Sequence, residues 1–317
     1  MATRPRLKPY YRPIRRGSGT VQLGLSADSG GILLSGLAPS EITLLERLDG
    51  SLREPDMHAL AATIGVDRRR ADELLQVLRE QRVLLTDTVD RADLVRLAHI
   101  EPDRAVDDAD VLGVAHADVA DPMNRVLARA SQHVVIDGSG HLAEAVAALL
   151  HSSGVGRVDL GPWAGDVADA ELRGPGRERP DLVILVTHPA IDPRTAEPWR
   201  RRGIPLLPVV PDGNRVVAGP LLGPDPALPC LRCLQLTRAD YDAGWAEVMA
   251  QAVGSDVEAT SESALISVAA GVAAMIAHAS LAGDRVPAGV SVEVGLPWPR
   301  LDHRRWVRHP SCPGHTG

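Results

Sequence analysis

The chain has 317 residues, a formal net charge of -7 and 44% hydrophobic residues. This length indicates about two domains, and the negative charge argues against a chain that coats nucleic acid or an anionic membrane. Lys8 is the only lysine, so no later part of the chain supplies an ammonium group to any chemistry.

The chain shows no sign of export or membrane insertion. Its N-terminus is rich in arginine and lacks the apolar core of a secretory signal. Three cysteines are few and odd in number, which indicates a reducing cytoplasm and favours metal binding over disulfides. The apolar stretch from Ala264 to Ala282 contains His278 and many alanines, and predicts a buried helix rather than a membrane span. We therefore expect a cytoplasmic protein with no membrane segment.

The first 87 residues predict a small winged helix. Two short apolar runs, Thr20 to Leu25 and Gly31 to Leu34, flank a turn and indicate a hairpin. Three helices with apolar faces follow, and Asp67 is a suitable N-cap for the third. A short strand at 83–85 closes the pattern.

Residues 88–130 are acidic and irregular, and predict a linker with room for one strand, followed by a helix near Asn124 to Ala130. From 131 to 317, buried strands alternate with helices. This alternation predicts an α/β domain with a parallel sheet and right-handed crossovers.

A glycine-rich turn joins the first strand of this domain to its first helix. The sequence Gly138-Ser139-Gly140 opens a G-x-G-x-x-A motif, in which the glycines allow a tight turn and a close approach of phosphate to the helix N-terminus. The alternative is that the glycines only permit tight packing in a Rossmann fold whose ligand site is inactive.

The three cysteines and a nearby histidine have the spacing of a structural zinc site. Cys230 and Cys233 form a C-x2-C pair, and Cys312 and His315 form a C-x2-H pair. Three sulfurs and one imidazole make a complete tetrahedral set. His309 is a rival for the fourth position, and a surface pair without metal is the alternative to the whole site.

Three consecutive arginines at 68–70 open the third predicted helix, where a DNA-recognition helix would meet a groove. The charges of residues 1–87 nearly balance, which argues against a DNA-binding surface. A solvated helix face is the simpler interpretation.

Residues 130–317 resemble the ThiF family, which includes relatives of ubiquitin-activating enzymes and an enzyme that activates a microcin peptide. The resemblance rests on the glycine turn and on the segments HSSGVGRVDL at 151–160, DLVILVTHP at 181–189, GIPLLPVV at 203–210 and CLRC at 230–233. It implies a Rossmann-like domain over 131–317 with a C-terminal zinc knuckle, and a homodimer.

The resemblance also implies that adenylation has been lost. The positions of the D-x-D pair that holds ribose and metal in active members fall at about Pro162 and Ala164, and no lysine follows Lys8. Catalysis of adenylation depends on positioning and on charge stabilisation by cations and metal. We therefore expect no ATP cofactor and a pseudoenzyme scaffold. The remnant of the nucleotide site would consist of Gly138, Ser139, Gly140 and His188, although a hydrogen-bonded loop role is the favoured interpretation of the histidine.

The first domain resembles the PqqD-like peptide-recognition element of ribosomal peptide biosynthesis. The similar residues are the hairpin, LAPSEITLLERLDGS at 37–51 and LLQVLREQRVLL at 74–85. In that family a leader peptide adds a strand to the hairpin edge and packs against the third helix. The peptide-binding surface implied here comprises Val21, Leu23, Leu25, Leu75, Arg79 and Arg82; core or solvated positions are the alternative for each.

Together, these features resemble the partner proteins of azoline (thiazole and oxazole) peptide biosynthesis. The expected function is non-catalytic: to bind the leader of a precursor and present it to a YcaO-type cyclodehydratase. The alternatives are an ATP-dependent adenylyltransferase that acts on a peptide or carrier C-terminus, and a winged-helix DNA-binding regulator.

Overall fold

The computed structural model describes residues 4–25, 31–85, 100–116, 122–161, 179–186, 191–225, 227–253 and 261–315. The chain divides into two compact units, one formed by 1–97 with 101–127 and the other by 98–100 with 128–317. The predicted hairpin turn at 27–30, Pro162, Ala164 and His188 lie outside the described residues.

The first unit contains two small sheets and the three predicted helices. The strands are β1 (Arg6–Leu7), β2 (Pro13–Arg15), β3 (Thr20–Leu23), β4 (Ile32–Ser35) and β5 (Leu84–Leu85), and the helices are α1 (Pro39–Glu46), α2 (Glu54–Thr63) and α3 (Arg68–Glu80). Strands β2, β3 and β4 form an antiparallel sheet in that order, and β1 pairs with β5. The hairpin, the three helices and the closing strand are confirmed; β1 and β2 were not predicted.

Helix α3 forms where the sequence combines a cap with an apolar stripe. The side chain of Asp67 accepts a hydrogen bond from the amide of Arg69, which satisfies one free donor of the first turn. Ala71, Leu74, Leu75 and Leu78 then face the core of the unit.

Two further helices, α4 (Pro102–Ala115) and α5 (Pro122–Ala128), lie where a linker was expected. The short helix near Asn124 was predicted, but α4 was not. Its buried face is built from Ala105 and Ala109, and alanine gives a weak apolar periodicity. Asp110 on the same helix is also buried, and Gly113 leaves room for the Lys8 ammonium, because a Cβ there would collide with Nζ.

The second unit is built on one seven-stranded sheet in the order β12-β11-β10-β9-β8-β6-β7. Its strands are β6 (His133–Gly138), β7 (Arg157–Gly161), β8 (Leu182–Val186), β9 (Leu206–Asp212), β10 (Arg215–Ala218), β11 (Val290–Gly295) and β12 (Arg300–Arg305). The strands from β6 to β9 are parallel, as predicted. The strands from β10 to β12 are antiparallel, so the sheet is mixed and the expectation of a wholly parallel sheet is corrected.

Helices cover both faces of this sheet. They are α6 (His141–Ser152), α7 (Pro193–Arg201), α8 (Leu231–Tyr241), α9 (Trp245–Ala252) and α10 (Ser263–Leu281). Alternate strand residues point to opposite faces, so Val134 and Ile136 share a core with α6 and α10. Val135 faces the other core, which contains Trp199 of α7 and Leu231 of α8.

Among the described helices, α10 is the one whose length and mean hydropathy of 1.9 would allow it to cross a membrane. One side of it nevertheless packs in the core between α6 and the sheet, through Leu265, Ala269, Ala270, Ala273, Ala274 and Ala277. The predicted helix therefore forms with one side buried and the other exposed at Val268 and Met275, and its alanines allow a close approach to α6.

Candidate functional site

Three cysteine thiols meet at one point of the second unit. Cys230 is the N-cap of α8 and Cys233 lies in its first turn, so one helical turn brings their sulfurs to the same side. Sγ of Cys230 is 3.7 Å from Sγ of Cys233 and 3.7 Å from Sγ of Cys312. Four sulfurs at about 2.3 Å from a zinc ion would be about 3.8 Å apart. The three thiols therefore fit one face of a zinc tetrahedron.

The surroundings of the cluster act on the thiols in opposite directions. Burial tends to raise the pKa of Cys233, but amide donors from His309 and Cys230, together with the other two thiols, lower it overall. Burial raises the pKa of Cys312 to about 12, although the Gly314 amide opposes this. Without a cation, Cys312 holds its proton, and a bound divalent cation would displace it.

His309 is a poor candidate for the fourth ligand, because both of its ring nitrogens are engaged. Nε2 lies 2.8 Å from a carboxylate oxygen of Asp240, and Nδ1 accepts the amide hydrogen of Ser311 at 3.1 Å. The ring thus fixes the tail that carries Cys312. The backbone of His315 lies in the short 3-10 turn Pro313–His315; its side chain is outside what the structure describes, so its role as ligand stays a prediction.

The glycine turn lies between β6 and α6, as predicted. Gly138 has a φ of 154°, and a Cβ there would overlap the carbonyl oxygen of Val186 on the neighbouring strand. Gly140 has a φ of 84° and is the N-cap of α6. Strand packing alone is enough to require glycine at position 138. This fits the alternative explanation of the motif, in which the glycines only permit tight packing. Ser139 is exposed.

Among the described residues, no group of three or more potential metal-binding side chains lies at this turn, although Asp137, directly before it, is buried. Glu144 is in the first turn of α6, where it already complements the helix dipole. Asp159, the acid on β7, is 2.9 Å from Nε2 of His133 and 2.7 Å from a guanidinium nitrogen of Arg157. Burial tends to raise the pKa of Asp159, but these two partners lower it overall.

The position of Asp159 follows from the strand register. Gly161, two residues further along β7, pairs with Asp137, the residue before the turn. Asp159 therefore lies about 7 Å back along the strand from that level, and its partner His133 is at the opposite end of β6. This carboxylate supports the sheet and does not reach the turn.

The structure corrects half of the predicted peptide-binding surface. Val21 and Leu23 are 0% exposed and Leu75 is 1% exposed, so their side chains form the core of the first unit. The alternation of β3 turns Val21 and Leu23 inward. Leu25, by contrast, is 79% exposed.

The two predicted arginines lie at the surface beside α3. Arg79 pairs with Glu54 at 3.0 Å, and Arg82 follows the helix with a φ of 57°.

The outward face of the three-stranded sheet carries apolar residues that sequence reasoning missed. Ile14, Gln22 and Leu33 are cross-strand neighbours, and Leu33 is 56% exposed and Ile14 38% exposed. Within the part of the chain that the structure describes, β4 pairs only with β3, so its outer edge is free. Once Val21 and Leu23 are known to face inward, Gln22, which alternates with them, and its cross-strand neighbours must face outward.

The arginines at the start of α3 are neutralised within the unit. Arg70 is hydrogen-bonded to Glu41 and lies 3.3 Å from Glu73, and Arg69 is 3.2 Å from Glu73. Two of the three guanidinium groups of the 68–70 run therefore have carboxylate partners, which weakens the DNA-binding alternative.

No protein-family model and no curated protein sequence matches the chain, but several solved structures share its fold. A heterocyclase in complex with substrate and cofactor superposes with a TM-score of 0.69 at 15% identity, over 99% of this chain and 39% of its own. The heterocyclase TruD gives 0.65 at 18% identity, over 98% of this chain and 42% of its own. Escherichia coli MccB, solved with AMPCPP and MccA, gives 0.66 at 14% identity over 99% of both chains.

At these identities the likeness concerns the fold alone. The chain spans less than half the length of the two heterocyclases and nearly the whole of MccB. The mixed α/β architecture is thus one that known heterocyclase and MccB structures contain.

Proposed function

We propose that this protein is a non-catalytic binding protein that recognises the leader of a ribosomally made precursor peptide and presents it to a YcaO-type cyclodehydratase. The observation that carries the proposal is the outer edge of β4, which no described strand covers, and the exposed apolar residue Leu33 on that strand. An edge strand offers a row of backbone donors and acceptors, and an added strand satisfies them. Affinity then comes from the backbone and specificity from neighbouring side chains.

The absence of catalysis is proposed from the glycine turn. Asp159 is held by His133 and Arg157 away from the turn, and the sequence has no lysine after Lys8. Transfer of a nucleotidyl group needs cations and a metal around the phosphates. We therefore expect a scaffold that lacks this lysine, and whose Asp159 does not reach the turn, to retain binding but not turnover.

The fold neighbours support a role in peptide modification. Among them are a heterocyclase solved with its substrate and cofactor, and MccB solved with AMPCPP and MccA. The nucleotide analogue in MccB also supports the second candidate, an ATP-dependent adenylyltransferase. An ATP–pyrophosphate exchange assay separates the two, because exchange with any peptide substrate above that of a heat-denatured sample would favour the enzyme.

The remaining parts of the proposal concern assembly and location. The cysteine cluster would hold a structural zinc ion through Cys230, Cys233, Cys312 and His315, and that ion would supply no step of chemistry. We also propose a homodimer and a cytoplasmic location. The outer side of α10 supports a dimer, because Val268 and Met275 are 46% and 73% exposed there.

A peptide-binding experiment tests the main proposal. Fluorescein-labelled leader peptides from precursors encoded beside the gene would be titrated with the full chain and followed by anisotropy. We expect Leu33→Glu to weaken binding at least 10-fold. Val248→Glu, a matched change at an exposed apolar position of α9, should have no effect. Absence of binding by every such leader, or equal binding by Leu33→Glu, would refute the proposal.

A further inference from the structure

A groove runs along the outer side of α7 in the second unit. Its volume is about 560 Å³, within the range of about 300–1,000 Å³ that is usual for ligand sites. Its walls come from α7, the start of β9, the turn at Leu222, the first residues of α8 and the tail at 313–314. Helices α7 and α8 cover one face of the sheet and α6 covers the other. The groove is therefore distinct from the glycine turn.

The floor of this groove is aliphatic. Ile204, Leu206 and Leu222 line it and are 1%, 3% and 5% exposed, and Ala196 and Leu231 continue the same surface. Such a floor stabilises an aliphatic side chain by removing it from water.

The rim of the groove has an excess of positive charge. Asp192 pairs with Arg194 at 2.8 Å, and Glu197 pairs with Arg200 at 2.8 Å and with Arg201 at 3.0 Å. The carboxylates and guanidinium groups of the rim belong to Asp192, Arg194, Glu197, Arg200, Arg201 and Arg232, and the thiol of Cys230 also lines the groove. Four guanidinium groups thus face two carboxylates.

Arg232 is the cation of this rim that is open to a ligand. It lies exposed in the first turn of α8. No carboxylate among the residues that the structure describes forms an ion pair with it. Arginine binds carboxylates with two parallel hydrogen bonds, so an acidic ligand would complete the charge balance of the rim.

We propose that this groove binds an acidic peptide segment, with an aliphatic side chain on the floor and a carboxylate at Arg232. Helix α7 has nine residues and is about 13 Å long, which matches about four residues of an extended chain. In such a chain neighbouring side chains point in opposite directions. One side chain would therefore face the floor, and the side chains on either side of it would point outward to the rim. This site lies in the second unit and goes beyond leader binding by the first.

The test uses two matched synthetic probes on the zinc-supplemented full chain. One is a fluorescein-labelled peptide with the repeat Asp-Leu-Asp-Leu-Asp, and the other replaces each aspartate by asparagine. We expect the acidic peptide to bind at least 10-fold more tightly and to weaken as NaCl rises from 50 to 300 mM. Equal binding of the two peptides would overturn the proposal.

Variants locate the site. Arg232→Gln and Arg201→Gln should each weaken the acidic peptide about 5-fold or more, whereas Arg305→Gln on β12 should change nothing. Zinc content is measured for Arg232→Gln, because this residue lies between two cysteines; Arg201→Gln is independent of that risk. Unchanged affinity in both rim variants would refute the assignment.

Competition identifies the class of ligand. Unlabelled acidic peptide is first titrated to find the concentration that displaces half of the probe. Inorganic phosphate and octanoate are then each added at that same concentration. Weak competition by both supports a peptide site, and competition by either as strong as that of the peptide would overturn it. Because Arg232→Gln should bind a leader normally, failure here is distinguishable from failure of leader binding by the first unit.

Discussion

Burial of Asp110 makes the stability of the first unit depend on pH, and Asp110→Asn should remove this dependence. Asp110 is 5% exposed, and among the described residues neither of its carboxylate oxygens has a hydrogen-bond partner. Burial raises the pKa of Asp110 from 3.8 to about 6, although Lys8 and Arg6 oppose the change. The gap between these values corresponds to about 3 kcal/mol.

The sign follows from the direction of the pKa change. The folded state binds the Asp110 proton more tightly than the unfolded chain does, so this stabilisation is fully present below pH 3.8 and is lost as pH rises through about 6. Asparagine keeps the shape of the protonated acid. We therefore expect Asp110→Asn to raise the free energy of unfolding at pH 7.5 by about 2–3 kcal/mol, and to change it little at pH 3.5.

Two probes separate the units in a urea titration. All five tryptophans follow residue 160, so their fluorescence reports the second unit, whereas hydrogen exchange of residues 102–115 reports the first. Only the exchange of residues 102–115 should shift in the variant. If Asp110→Asn is neutral or destabilising at pH 7.5, or if the wild type is equally stable at pH 4.5 and 7.5, this reasoning is wrong.

Three further predictions concern single side chains. Gly138→Ala should cost at least 3 kcal/mol or prevent folding, because its Cβ would overlap a strand carbonyl; soluble yield and thermal melting check this, with Ser139→Ala as a neutral control. Glu41→Gln should cost about 1–2 kcal/mol, since Arg70 and the Ala38 amide together outweigh burial and lower the pKa of Glu41. That stabilisation is present above the ordinary glutamate value and lost as pH falls through the lower folded value, so acid titrations of wild type and variant should converge. His315→Gln should lose most bound zinc by metal analysis while His309→Gln keeps it; the reverse order would make His309 the ligand.

Elements with strong apolar periodicity or clear capping and turn residues were predictable from the sequence. Asp67 capped α3 as expected, and the parallel strands β6, β8 and β9 followed from continuous apolar runs. Strand β12 was missed because charged residues dominate it and all but one of its residues are exposed, so it gives no alternation of apolar and polar residues. Strands β10 and β11 do carry apolar residues, but they were not predicted.

The candidate sites were predictable to different degrees. Spacing alone indicated the cysteine cluster, and the structure brings Cys230, Cys233 and Cys312 together. The inward direction of Val21 and Leu23 was misjudged, because a four-residue strand does not reveal which of its faces is buried until its neighbours are known. The groove along α7 had no sequence signal, since its walls come from five separate segments.

The cysteine cluster joins positions that are 82 residues apart. A metal ion held by Cys230 and Cys312 would act as a cross-link that closes this long loop, and a covalent link of that span would restrict the unfolded chain by about 4–5 kcal/mol. Unlike a covalent link, this one is reversible. Removal of the ion by a chelator, or oxidation of one thiol, would release this cross-link while the sheet and core contacts of α10, β11 and β12 remain, so metal supply and redox state would adjust the stability of the second unit.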